Sequence, residues 1–391
     1  MRTYLLAVWA AGAVVAVACG QTSPDSGDAG DAGGGVDVVD DVVKTDVVAK
    51  DAPADVTPDV VVPFDAGPPP PIGGKPPPPP DAGAPTTNTY TFAIHTIYLG
   101  ETPYGGGPPS SSAWKNFGYD VDGTQTTNQS SNVCTLYAGA SKSVQVDGTN
   151  GIDNAWGANI LPIIQSAASL PAPSTDETTA IDQGAFTLQI QVTGLSDDPQ
   201  QSALGLTSQL FVSGAYGNGT PAFDSSTNWP VLSTSVKDGT TIASGSTVQF
   251  ASSYVSGGVF VSGATGAAIP LDFSANGTSL PIIVHDGVIT FTHPSHSDAA
   301  YGVISGVLYT QELIDALQAL AGQISTSLCG SAFDGIADQI RQSQEIMNDG
   351  TNGPNQSCNA ISIGIGFDAV LVHDPTTVAT APPPPPNPCG D

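Results

Sequence analysis

Phe186-Thr187-Leu188-Gln189-Ile190-Gln191-Val192-Thr193 alternates apolar and polar residues without a break. A strand turns successive side chains to opposite faces, so Phe186, Leu188, Ile190 and Val192 share one face and the four polar residues the other. This is the pattern of a half-buried strand. Outward from it, comparable runs occur at 90–99, 248–254, 259–262, 281–285, 288–292, 302–309 and 361–372. Several are separated by Asn218-Gly219, Asn276-Gly277 and Asp286-Gly287, dipeptides that accept the positive φ of tight hairpin turns. Many short strands joined by such turns predict a mainly β fold, an antiparallel β-sandwich or jelly-roll-like domain over residues 89–380.

Two helices interrupt the alternation. Near 310–325, Leu313, Leu317, Leu320 and Ile324 recur at helical spacing behind Thr310, which is expected to cap them. Near 332–348, Phe333, Ile336, Ala337, Ile340 and Met347 form a second apolar stripe, opened by Ser331-Ala332-Phe333-Asp334 as a capping box. The pair is expected to be an insertion covering one end or one face of the β domain.

Residues 19–88 differ in kind. They repeat an Asp-Val-Val theme and then run through prolines 68–71 and 76–80, with charge too frequent for burial. Such a segment cannot bury enough apolar surface to offset its ordering entropy, so it is expected to be a disordered tether. As a flexible chain it would span roughly 45 Å root-mean-square. Residues 381–391 form a proline-rich C-terminal tail.

The chain carries 36 acidic and 8 basic residues, a formal charge of −28. From residue 90 onward only Lys115, Lys142, Lys237 and Arg341 are basic against 24 acidic groups. Binding a polyanion requires cations that displace condensed counterions, so nucleic acid is excluded as a partner. Cations and neutral ligands suit this domain better.

Residues 1–18 combine Arg2, an apolar run from Tyr4 to Val17, and small residues, the form of an export signal. Ala16-Val17-Ala18-Cys19-Gly20 resembles the lipobox of bacterial lipoproteins, with Ala16 where Leu is commoner. The resemblance implies that 1–18 is removed as a signal peptide and that Cys19 carries the lipid. Gly20 rather than Asp follows Cys19, which by the best-known sorting rule implies the outer membrane, on its surface or periplasmic face. After residue 19 no apolar run is long enough to span a bilayer, so attachment would be through lipid alone.

With Cys19 lipidated, Cys134, Cys329, Cys358 and Cys389 remain. An even set in an exported chain predicts two disulfides, with three connectivities open. Cys329 and Cys358 bracket the second helix, so a local Cys329–Cys358 bond is expected, leaving Cys134 for Cys389.

Two segments concentrate oxygen ligands with glycine: 114–123, ending Gly118-Tyr119-Asp120-Val121-Asp122-Gly123, and 146–157, containing Asn150-Gly151-Ile152-Asp153-Asn154. With the lipobox, the Asp/Pro-rich tether and the Gly-Val-Ile-Ser-Gly-Val-Leu stretch at 302–308, they resemble a group of myxobacterial-type lipoproteins. That likeness implies an architecture and no activity. Chemically, Ca²⁺ takes six to eight oxygens, and Asp120 and Asp122 alternate ahead of a glycine. Asp147, Asn150, Asp153 and Asn154 are the further candidate ligands. The spacing is not that of an EF-hand, and the plainer reading is two Asx-rich turns capping backbone N–H groups.

Other candidates carry less. His293-Pro294-Ser295-His296-Ser297-Asp298 offers two imidazoles for zinc but no third ligand, and is expected to be a solvated loop. Trp114 and Trp156, with Trp229, are candidate sugar platforms, although tryptophan in a β domain is more often core. The expectation is a lipid-anchored, non-catalytic binding or adhesion protein of the cell envelope, calcium-stabilised, with carbohydrate or another envelope protein as partner. The alternative is a secreted polysaccharide hydrolase drawing its acids from Asp120, Asp122, Asp147 or Asp153.

Overall fold

The alternating segment forms a strand at Leu188–Thr193, inside a large antiparallel sheet. The structure is a computed structural model that describes residues 74–390 apart from 169, 264–266, 276–277, 296 and 384–385. The signal peptide, Cys19, most of the tether and the Asn276-Gly277 turn lie outside the described residues. All described residues belong to one compact unit, Phe64–Asp391.

In chain order the elements are β1 (Thr89–Tyr98), α1 (Leu161–Ala168), α2 (Pro173–Asp182), β2 (Leu188–Thr193), β3 (Ala203–Val212), β4 (Val231–Leu232), β5 (Val248–Ser256), β6 (Val259–Val261), β7 (Ile269–Ala275), β8 (Thr278–Ser295), β9 (Asp298–Tyr309), α3 (Thr310–Ile324), α4 (Ser331–Gln342), β10 (Ala360–Val372) and β11 (Val378–Ala379). The main sheet runs β6-β5-β3-β2-β1-β10-β9-β8-β7, every pair antiparallel. The fold is therefore mainly β, as the alternation predicts.

The sheet also closes. β6 pairs with β5 through Val255↔Phe260 and with β8 through Phe260↔Phe291, so β8 and β5 are joined around β6. Closure leaves β6 without an unpaired edge of the kind an open sheet must protect, while β7 pairs only with β8. The β5–β6 hairpin turns through Gly257 and Gly258, at φ 57° and 81°, which a two-residue hairpin of the favoured hand requires. Inside lie Phe92, Ile190, Val192, Leu206, Phe260, Phe291 and Phe367, all buried. Phe260 stacks on Phe291 with centroids 4.6 Å apart.

Gln189 departs from simple alternation. It is buried on the outer face, because the chain carrying Ser213 and Trp229 covers that end of β2 and accepts its amide at Ser213 Oγ, 2.8 Å away. β10 is buried on both faces for a similar reason: Gly364 lets the backbone of Phe117 approach so closely that a Cβ would lie 2.2 Å from its carbonyl oxygen.

Four points correct or extend the sequence reading. First, α1 and α2 are helices that no alternation or capping signal flagged, and α1 continues from a π-helical turn, Trp156–Ile160. Second, the capping details differ. Thr310 is the first helical residue of α3, its hydroxyl donating to Asn359 O at 2.9 Å, and α4 is preceded by Gly330 without a side-chain cap. α4 stops at Gln342 because Glu345 and Ile346 turn back to hydrogen-bond with Ala360.

Third, the disulfides are Cys134–Cys358 and Cys329–Cys389, so both expected pairings are replaced. The return of residues 343–359 toward β10 carries Cys358 away from the start of α4 and lays it beside Thr135, whose carbonyl accepts the Cys358 N–H at 3.0 Å. Cys389 instead meets α3 near Gly322. Fourth, residues 74–88, assigned by sequence to the tether, run against the sheet. Tyr254 Oη donates to Pro77 O at 2.7 Å, Leu204 N to Gly83 O at 3.2 Å, and Thr86 N to Gly194 O at 3.0 Å.

Candidate metal centre

The site begins where a strand ends. β1 pairs with β10 only as far as Tyr98↔Gly366, and Ile346 bridges Ala360, so the edge of β10 from Ile361 to Ile365 has lost its neighbour. Buried backbone groups need partners, and side chains supply them. Asn154 takes the place of the missing strand at Gly364, its Oδ1 accepting the Gly364 N–H at 3.1 Å and its Nδ2 donating to the Gly364 carbonyl at 2.9 Å. Glu345 accepts the Ser362 N–H at 2.7 Å, and Ala155 N donates to Ser362 Oγ at 2.9 Å. These bonds fix residues 153–155 and 345 against the sheet edge.

Asp153, held by its neighbour, folds the next loop around its carboxylate. Its Oδ2 accepts the N–H groups of Val121 and Asp122 at 2.7 and 3.2 Å, while its own N–H donates to Tyr119 O. Asp122 in turn accepts from Thr124 N at 2.7 Å and from Asn352 Nδ2 at 2.9 Å. One ligand oxygen from each of Asp120, Asp122 and Asp153 lies within 4.8 Å of the others. Oxygens on opposite sides of one Ca²⁺ lie roughly twice 2.3–2.6 Å apart, so this spacing fits a single ion. Asp120 adds a second feature: its side chain is nine-tenths buried, and Oδ1 has no hydrogen-bond partner.

The electrostatics call for positive charge. Asp153 is 3% exposed and Glu345 6%. Burial, reinforced by the charge of Glu345, pushes the Asp153 carboxyl well above the usual range. Burial also pushes Asp147 up to about 7 and Glu345 up to about 8, and raises Asp122. Lys75 is the cation at hand, its Nζ 3.7 Å from Asp120 Oδ2 and itself more than half exposed. One exposed ammonium does not balance the group. Either protons or a bound cation must complete it.

The sequence candidates divide cleanly. Asp120, Asp122 and Asp153 come together, and Asp147 stands beside them, accepting the Thr126 N–H. Asn150 occupies a left-handed turn at φ 57° and is exposed, which is the turn role. Asn154 uses both side-chain atoms on backbone groups, including Gly157 N and Phe117 O, and so positions the site without facing an ion. Trp156 and Trp229 are fully buried, Trp156 stacking on Phe273, so neither is a sugar platform. Trp114 is half-buried with Nε1 donating to Ser111 O at 3.0 Å. His293 is buried in β8 with Nε2 2.6 Å from Ser196 O, not in a solvated loop, and His296 lies outside the described residues. Glu345, Asn352 and Lys75 were missed. Asn352 sits in Asn348-Asp349-Gly350-Thr351-Asn352-Gly353, an Asx/Gly run of the same type as the two segments singled out.

No protein-family model, curated protein or solved structure matches this chain. Among the described residues, no helix is long and apolar enough to cross a membrane.

Proposed function

We propose that the chain is a lipid-anchored protein of the cell envelope whose β domain serves as a non-catalytic binding module, stabilised by Ca²⁺ held between Asp120, Asp122 and Asp153. One observation carries the cation: three carboxylates gathered within 4.8 Å, one of them 3% exposed, with Asp120 Oδ1 buried and unpartnered. Hard oxygen donors of this kind favour Ca²⁺, and Mg²⁺ less because it demands a tighter octahedral shell. The same crowding supports binding over hydrolysis. A glycosidase needs two carboxylates free to face a sugar across a gap of about 5–9.5 Å, whereas Asp153 here spends an oxygen on two backbone N–H groups. The membrane attachment rests on the lipobox-like 16–20 stretch and Cys19.

Thermal unfolding tests the cation. An ion at a hundred times its dissociation constant adds about 2.7 kcal/mol, so calcium should raise the melting temperature by a few degrees over chelator. Asp122→Asn should blunt that rise. Identical melting curves in calcium and chelator would return these residues to turn capping.

A further inference from the structure

A second assembly lies on the outer face of β2, β3 and β5, away from the carboxylates. Gln191, Gln209 and Gln249 stand directly opposite one another across the three strands. Their amides form one hydrogen-bonded line with a single direction. Lys237 Nζ donates to Gln249 Oε1 at 2.6 Å, Gln249 Nε2 to Gln209 Oε1 at 3.3 Å, and Gln209 Nε2 to Gln191 Oε1 at 2.6 Å. Gln191 Nε2 then reaches Thr91 Oγ1 and Asp374 Oδ1 at 3.1 and 3.2 Å. An ammonium can only donate and a carboxylate can only accept, so the two ends dictate how every amide between them points. Hydrogen bonds aligned this way polarise one another and hold the side chains still.

The row floors a trough of about 310 Å³, whose lining also includes Thr193 and Thr207 and contains no charged side chain. That volume is at the lower end of small-ligand sites, roughly 300–1,000 Å³. Gln209 and Gln249 each spend one amide hydrogen along the row, which leaves each a second one. Thr207 is exposed on the same floor. A surface offering fixed donors and acceptors side by side, without net charge, matches a ligand whose groups both donate and accept. Pre-set amides also lower the ordering cost of binding.

We propose that this trough binds a neutral polyhydroxylated ligand, a short segment of saccharide. The idea rests on the chain being a binding module but not on the cation, so the two are separable. The test is calorimetric titration of the full-length chain, in a sugar-free detergent, with neutral gluco-, xylo-, manno- and galacto-hexasaccharides and with a sulfated oligosaccharide, each in calcium and in chelator. At least one neutral probe should bind saturably in both buffers. Gln209→Leu should weaken it at least tenfold, and Thr207→Val, which leaves the amide row intact, several-fold. Absence of saturable binding by every neutral probe would overturn the proposal, as would binding that both variants leave unchanged or a preference for the sulfated probe. Saccharide binding that persists when calcium has no effect on melting would support the trough and count against the cation alone.

Discussion

Asn154 shows how one side chain can stand in for a strand. Its amide meets the N–H and C=O of Gly364 and also reaches Phe117 O and Gly157 N. Leaving a buried backbone group unpaired costs about 1–3 kcal/mol, so Asn154→Ala, which orphans several, should destabilise by about 3 kcal/mol or more by chemical denaturation. Asn150→Gly should stay within about 0.5 kcal/mol, because Asn150 is exposed and its left-handed backbone suits glycine. The sequence presented Asn150 and Asn154 alike, as Asx residues of one glycine-containing segment. What separates them is whether a strand edge 210 residues away needs a partner, and that is invisible to local spacing. Asp120, Asp122 and Asp153 were legible because alternation and glycine turns are local. Glu345 was not, since it follows α4 without any such signal and reaches the site only when the chain returns to pair with β10.

At the scale of elements, the Leu188–Thr193 alternation was enough to place β2, because a strand with one face in the core must repeat every second residue. α1 and α2 escaped the same reading. α1 follows a π-helical turn and contains Pro162, while α2 opens on Pro173 and has little apolar contrast between its faces, so neither presents a long helical stripe. The disulfides failed for a different reason. Closing the nearest loop is a sound guess when elements pack locally, but Cys134 and Cys358 are brought together across 224 residues by the β10 return, and Cys389 by the C-terminal tail packing on α3. Peptide mapping of unreduced protein should therefore recover Cys134 linked to Cys358 and Cys329 linked to Cys389, with no free thiol among the four. A Cys329–Cys358 peptide would refute this arrangement.

For the molecule as a whole, an anionic domain buries carboxylates at one sheet edge. Asp147 and Glu345 have values raised to about 7 and about 8 by burial, while unfolded carboxyls titrate near about 4. Between those limits the folded state holds protons that the unfolded state has released. Stability without metal should therefore be greatest below about pH 4–5 as far as these groups are concerned, and fall as pH rises toward about 8. Calcium should oppose that fall near neutrality, where it replaces the protons. A melting temperature in chelator that rises over this interval would contradict the assignment. Attachment is tested separately: the parent chain should partition into detergent, and Cys19→Ser should leave it soluble or unprocessed. Recovery of the parent wholly in the aqueous phase would remove the lipid anchor.

The most direct measurement is calorimetric titration of Ca²⁺ into the chelator-treated full-length chain at neutral pH. One saturable site per chain is expected, accompanied by proton release from the raised carboxyls and weakened at least tenfold by Asp122→Asn or Asp153→Asn. Heat that never saturates, or one site that both variants leave intact, would contradict a cation held by Asp120, Asp122 and Asp153.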